Sequence, residues 1–408
     1  MTLKLPNSSM TIQQIVQEWP ETEAVFVAND LKELIDPDYL QKVGRFMKLE
    51  TALKRKGFAV ETFEKLLHEK IRTQTQRVDI TAPAENHAGD ADIDVAGLLP
   101  CPVRVPLLEA VDRFVTDYTA SSGLKISTRF RAASGGAEWI EEEIHAAKVE
   151  ADLPDLFLSA GFDTFFDPAG IGQYSAAGAF QAIDYPAINP DFKGLDMVDP
   201  RGHYSIIAVV PAVFMVDLRE LDTKVPRTWE ALLQPEFERK VALPTADFDL
   251  FNAMLLTLHK EFGTVGIERL GRSMLESMHP AQMGQGESKR KPAVTIMPYF
   301  FTRMARNIPD VEIVWPEDGA IISPIFMLAR AAQRNVTAPL AEFLAGDEVG
   351  TILATQGLFP SLNPQVENIL PANAKWKWLG WDYIYSGDVA ARIKQLDEVF
   401  QSAFSAED

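Results

Sequence analysis

The sequence of 408 residues holds one cysteine, Cys101, and six histidines. A lone thiol forms no internal disulfide, cannot supply the thiolates of an iron–sulfur cluster, and cannot build a Cys-rich zinc site. The histidines, His68, His87, His145, His203, His259 and His279, never fall at the spacing that puts two imidazoles on one helix face, which argues against a His-based catalytic metal. Positive charge is also scarce: 39 Lys and Arg stand against 58 Asp and Glu, for a formal net charge of −19. Such a field repels phosphate backbones and anionic membranes, so nucleic acid is not the expected partner. No apolar run approaches the roughly 20 residues that a spanning helix needs. The stretch 206–216 contains Pro211, and the N-terminal MTLKLPNSSM has no continuous apolar core of signal-peptide length. A cytoplasmic location is therefore expected, with a periplasmic or extracellular one if the sequence is a processed form. Motifs of covalent chemistry are lacking as well. There is no Gly-x-Ser-x-Gly and no phosphate-binding loop, and the S-x-x-K matches at Ser122 and Ser288 lack their companion motifs. Glu141, Glu142 and Glu143 are consecutive on a helical stretch and face different directions, so paired-carboxylate catalysis is not indicated.

What is present describes a globular chain, 47% apolar and 24% charged, long enough for more than one core. Residues 10–73 read as a small helical bundle. Thr11 and Gln14 form a capping box, Ile12, Ile15, Val16 and Trp19 make one apolar face, and Pro20 ends the helix. Residues 73–94 are nearly devoid of large apolar side chains and become acidic, as a linker does. Beyond it, short apolar runs alternate with amphipathic helices. Strands are expected at 95–99, 125–132 and 155–159, with a helix between the first two marked by Leu107, Val111, Phe114 and Tyr118. That alternation predicts a parallel α/β sheet with ligands beyond the carboxyl ends of its strands. A second rhythm follows at 204–216, 241–243, a helix over 250–262, and 294–297, before a further strand at 321–327 and a helical C-terminus. The chain is expected to leave one lobe near Ile207 and return near Pro316, two crossings that make a hinge. The expected domains are a helical module 1–74, a linker 75–94, one binding lobe from 95–205 plus 320–408, and a second from 206–319.

The candidate ligand contacts lie at strand and helix ends. Ser134, Gly135 and Gly136 precede a helix and would aim backbone N–H groups at a ligand, or form a plain Ser-capped turn. Ser159 and Gly161 follow a strand with the same two readings. Pro100-Cys101-Pro102 is a stiff loop in which Cys101 either touches ligand or serves as a small hydrophobe. In the second lobe Thr245 and Asp247 precede a helix; Asp247 is either its cap or an acceptor for an amine or hard cation. Tyr299 is the only phenol in Met297-Pro298-Tyr299-Phe300-Phe301 and could hydrogen-bond or stack on an organic ligand. Lys289-Arg290-Lys291 reads as a solvated loop or an anion-attracting rim. Trp376, Trp378 and Trp381 pack against the first lobe or stack on ligand.

From about residue 95 onward the chain resembles the two-lobed solute-binding proteins of ABC importers, in the branch that includes ferric-iron, polyamine and thiamine binders. The resemblance rests on Pro226-Arg227-Thr228-Trp229-Glu230-Ala231-Leu232-Leu233, Pro235, Lys240-Val241-Ala242-Leu243-Pro244, Glu317-Asp318-Gly319-Ala320, Ser323-Pro324 and residues 340–344. It implies an α/β, type II periplasmic-binding-protein-like fold with a hinge, preceded by a small all-α domain. It also implies capture of a small molecule or ion between the lobes, without catalysis or cofactor, and an ABC permease as partner. Ferric binders of that family carry adjacent tyrosines where this chain has Tyr299 and Phe300, and Phe300 cannot ligate, so the ferric ligand set is incomplete. Residues 10–71 are similar to a small helical domain associated with redox-disulfide or hybrid-cluster proteins, through Met10-Thr11-Ile12, Trp19-Pro20-Glu21 and Val25-Phe26. They lack its cysteines, which excludes disulfide exchange and leaves a docking or regulatory module. The function expected is non-enzymatic solute binding, as a transport protein or a cytoplasmic carrier or sensor. Two alternatives stay open: a transferase or cofactor-synthesis enzyme using Cys101 with Asp247 as acid or base, and an adaptor acting through residues 10–71.

Overall fold

The computed structural model describes residues 5–28, 31–56, 60, 63–64, 67–68, 71, 91–99, 103–132, 138–185, 187–245, 248–277, 291–305 and 308–405. The chain divides into two compact units, residues 1–136 and 137–408. This division differs from the expected lobe boundaries, because the helical module and the first strand–helix–strand stretch share one unit.

In the first unit, helices Ile12–Glu18, Glu23–Ala28 and Leu49–Lys56 close over a core of Ile12, Ile15, Phe26, Leu49, Leu53 and Phe63, all fully buried. Val105, at the start of the helix Arg104–Ser122, belongs to the same cluster. The Thr11–Gln14 capping box forms as read: the Gln14 N–H donates to Thr11 Oγ1 at 3.2 Å, and the Thr11 N–H donates to the Gln14 side chain at 3.0 Å. Thr11→Ala frees one helix donor and is expected to cost about 1 kcal/mol. Faster amide hydrogen exchange confined to residues 12–18 would report it. The helix Arg104–Ser122 joins strands β1 (Ile93–Leu99) and β2 (Ile126–Ala132), which pair in parallel from Ile93↔Ile126 to Leu99↔Ala132. Gly123, at φ 75°, ends that helix in the left-handed conformation that glycine adopts without strain.

The second unit contains β3 (Leu156–Ala160), β4 (Ser205–Asp217), β5 (Val241–Leu243), β6 (Met274–Ser277), β7 (Val294–Pro298), β8 (Val311–Val314), β9 (Ala320–Ala329) and β10 (Trp376–Lys377). They pair in the order β3-β9-β4-β7-β5-β6, with β8 also on β4 and β10 on β9. The sheet is mixed rather than purely parallel. β5 is parallel to both β6 and β7, whereas β4 and β9 are antiparallel to each other. The cause is topological: one strand carries the chain out and the other carries it back.

β4 is the pivot of this unit. Its residues Ser205–Pro211 pair with β9, and Ala212–Val216 pair with β7, so the hand-over falls between Pro211 and Ala212. Pro211 lies opposite Ile322 and Pro324 opposite Val209, so each strand lacks a backbone donor there, and the register slips between Ile206 and Ala208. A ladder thinned in this way resists bending less than a continuous one.

The helix Phe248–Ser273 is longer than its periodicity suggested because Gly263, at φ 64°, lets the chain kink and continue. The C-terminal helix Val389–Ser405 packs along it, with Phe251 and Phe400 at 5.0 Å. Chain order had grouped that C-terminal helix with the first lobe. Two of the C-terminal tryptophans meet other rings: Trp376 stacks on Phe192 at 5.1 Å, and Trp381 meets Tyr204, Phe166 and Phe326 with 1% of its surface exposed. Among the described residues no helix is long and apolar enough to cross a membrane.

Candidate functional site

Strand direction decides where the candidate residues go. β3 is antiparallel to β9, with Leu156 opposite Ala329 and Ala160 opposite Ile325, so its carboxyl end points toward the β4–β9 crossing. β7 is antiparallel to β4 and ends with Pro298 opposite Ala212, so it points to the same crossing from the other side. β5 is parallel to β7 and ends in the same sense. The carboxyl ends of three strands therefore face the place where β4 changes partners.

Each of these ends carries a residue singled out from sequence. Gly161 follows β3 at φ 111°, a turn that an L side chain would strain. Thr245 lies two residues past β5 and is half-buried. Tyr299 directly follows β7, half-buried, with its ring edge-on to Trp315 at 5.1 Å and 88°. Ser159 is also at the end of β3, but it is buried and its hydroxyl donates to the Ala160 carbonyl at 3.0 Å, which fits a structural role better than an outward one. Pro100, Cys101, Ser134, Gly135, Gly136 and Asp247 lie outside the described residues, as do Lys289 and Arg290.

Three features at the crossing escaped the sequence reading. Tyr299 begins an aromatic series in which Trp315 meets Trp376 at 5.2 Å and Trp376 stacks on Phe192. The indole N–H groups of Trp315 and Trp376 donate to the carbonyls of Lys375 and Asp191, which fixes both rings. Position was the available signal, since Trp315 immediately precedes the return crossing. Ser323, on β9 opposite Val210, is fully buried, and its hydroxyl has no hydrogen-bond partner among the described residues. Asp318 accepts from the Trp229 N–H at 3.1 Å and lies 3.4 Å from Lys377, yet burial holds its carboxyl above the usual range.

Among the described residues no group of three or more His, Cys, Asp or Glu could hold an ion. Phe300, beside Tyr299, is buried against Phe301 and Phe359. The arrangement offers one phenol, backbone groups at strand ends and aromatic faces, a chemistry suited to holding an organic molecule.

A mixed sheet whose strand ends meet at a pair of crossing strands defines a two-lobed, periplasmic-binding-protein-like fold. Solved structures share it: the ferric binding protein from Campylobacter jejuni has 12% identity and a TM-score of 0.54, covering 76% of this chain and 99% of its own. The periplasmic binding protein AfuA from Actinobacillus pleuropneumoniae, with exogenous fructose-6-phosphate bound, has 16% identity and a TM-score of 0.53, covering 76% and 98%. A Trichodesmium protein in complex with iron and citrate ligands has 14% identity and a TM-score of 0.53, covering 75% and 98%. At such identities the likeness concerns the fold. The family model described as bacterial extracellular solute-binding protein matches residues 151–387, and the chain belongs to that family. Residues 7–63 match a domain of unknown function, DUF1858. No curated protein matches the chain. Family and fold are those of proteins that bind a small solute without transforming it, and the family's extracellular description favours the periplasmic or extracellular alternative over the cytoplasmic location expected from the N-terminus.

Proposed function

We propose that this protein captures a small organic solute at the crossing of β4 and β9, with Gly161, Thr245 and Tyr299 among its contacts, and works outside the cytoplasmic membrane with an ABC permease. The observation that carries this reading is the convergence of the carboxyl ends of β3, β5 and β7 on one crossing. Two further points support it. The buried hydroxyl of Ser323 has no hydrogen-bond partner among the described residues, a situation that costs about 1–3 kcal/mol and that a bound polar group would relieve. The prolines opposite Ile322 and Val209 leave a compliant ladder, which suits closure around a ligand. Asp247, just past β5 in sequence, is a further contact expected from sequence. An organic solute suits the site better than a bare ferric ion, because Tyr299 stands beside a buried Phe300. Residues 10–71 serve in this reading as a docking module for a partner protein.

Native mass spectrometry of protein purified from its source tests the proposal. A small molecule is expected to stay with the folded chain and to be released on unfolding. Purified protein that carries nothing and gains no thermal stability from a broad metabolite panel would refute capture. With the released solute in hand, Tyr299→Ala is expected to weaken its binding about 10- to 100-fold, the range of an aromatic anchor worth about 1.4–2.8 kcal/mol. Titration of the intrinsic tryptophan fluorescence measures it.

A further inference from the structure

A cavity of about 310 Å³ lies away from the crossing, at the opposite end of β9. Ala329 lines it and is paired with Leu156, the first residue of β3, whereas the candidate solute contacts lie beyond the last. Ala338, Ala341 and Ala345, on and just past the helix Arg334–Leu344, line it as well, and their short side chains leave the volume open. Two walls are anchored to β4. The Tyr185 hydroxyl donates to the Ile206 carbonyl at 2.7 Å, and Leu362, next to the lining residue Asn363, donates its N–H to the Ile207 carbonyl at 3.0 Å. A cavity held in this way is preformed, and a ligand entering it need not order its walls.

The charge around the cavity is mostly negative. Asp184, Glu342 and Asp347 line it, and among the described residues Arg334 is the single lining cation. The Arg334 guanidinium is already committed, donating to the Ala182 carbonyl at 2.7 Å and to Asp184 at 3.2 Å. The carboxylates of Glu342 and Asp347 have no ion-pair partner among the described residues. An alkyl body would fit against the alanines, and a cationic head would meet the exposed carboxylates of Glu342 and Asp347, the latter also accepting from the Glu348 N–H at 2.9 Å. We propose that this cavity is a second binding site, separate from the solute site, for a small organic cation such as an alkylammonium.

Three probes with the same alkyl body and different charge test it: n-butylammonium, 1-butanol and butyrate, each titrated into the full chain carrying ¹³C-methyl alanine. Butylammonium is expected to shift the methyl resonances of Ala338, Ala341 and Ala345, while butyrate leaves them in place and butanol shifts them only at much higher concentration. The double variant Glu342→Gln, Asp347→Asn is expected to weaken butylammonium binding at least tenfold. Ala338→Leu, at a half-buried position lining the cavity, should abolish the shifts by filling the space. Equal response to butanol and butylammonium, an unchanged affinity in the charge variant, or no shift at any concentration would each overturn the proposal. None of these readouts involves the solute at the crossing, so the outcome is independent of capture there.

Discussion

Arg330→Met is expected to destabilise the second unit by about 3–5 kcal/mol, because it removes the counter-charge that Arg330 supplies to the buried Asp155 carboxylate. The Arg330 Nη2 lies 2.6 Å from Asp155 Oδ1, and the side chains are 8% and 10% exposed. The pair is reinforced by the Arg330 N–H, which donates to the Asp155 carbonyl at 2.9 Å, and by Nη1, which donates to the Glu150 carbonyl at 3.1 Å. These contacts clamp the start of β3 to the end of β9. Asp155→Asn should cost a similar amount by stranding the guanidinium. The double variant Asp155→Leu, Arg330→Met should recover much of the loss, since replacing a buried pair by apolar groups removes both desolvation penalties. Urea midpoints at constant m-value measure all three. A single-variant loss under about 1 kcal/mol would place the pair with solvent-screened surface bridges instead.

That ion pair could not be read from the sequence, because residues so far apart in the chain are brought together only by the β3–β9 register. Features that depend on neighbours in sequence were legible. The Thr11–Gln14 capping box, β5 at Val241–Leu243 and the strand that became β7 follow from capping chemistry and apolar periodicity. The two crossing strands were legible as apolar runs, though not their direction: a strand's side-chain alternation is the same whichever way its neighbour runs. The hand-over at Pro211 and Ala212, beyond the expected Ile207, was hidden for the same reason, since β4 stays apolar through its change of partner. Near the crossing, Thr245 and Tyr299 were singled out because they follow recognisable strands. Trp315 and Ser323 were missed because their importance comes from the crossing rather than from any local motif. The packing of the C-terminal helix along Phe248–Ser273 is likewise a tertiary choice between apolar faces that composition does not rank.

Gly319→Ala is expected to cost about 2–5 kcal/mol, the sum of backbone strain and overpacking. Gly319 immediately precedes β9 and has φ 115°, where a side chain is already strained. A Cβ there would sit 2.7 Å from the Trp376 carbonyl carbon and 2.8 Å from its oxygen, contacts with backbone that no rotamer change can relieve. Relief would require β10 to move off β9, and the Gly319 carbonyl also accepts from the Trp229 indole at 3.0 Å. Gly178→Ala separates the two contributions, because Gly178 has φ 81° and a Cβ there would meet nothing within 4 Å. It should show strain alone, about 1–2 kcal/mol. Unfolding midpoints of the two variants then differ by the packing contribution. The displaced Trp376 should also alter tryptophan emission in Gly319→Ala and leave it unchanged in Gly178→Ala. Equal losses in both would mean that β10 yields at no cost, and that the crossing is held by β4 and β3 without the strap that Trp376 provides.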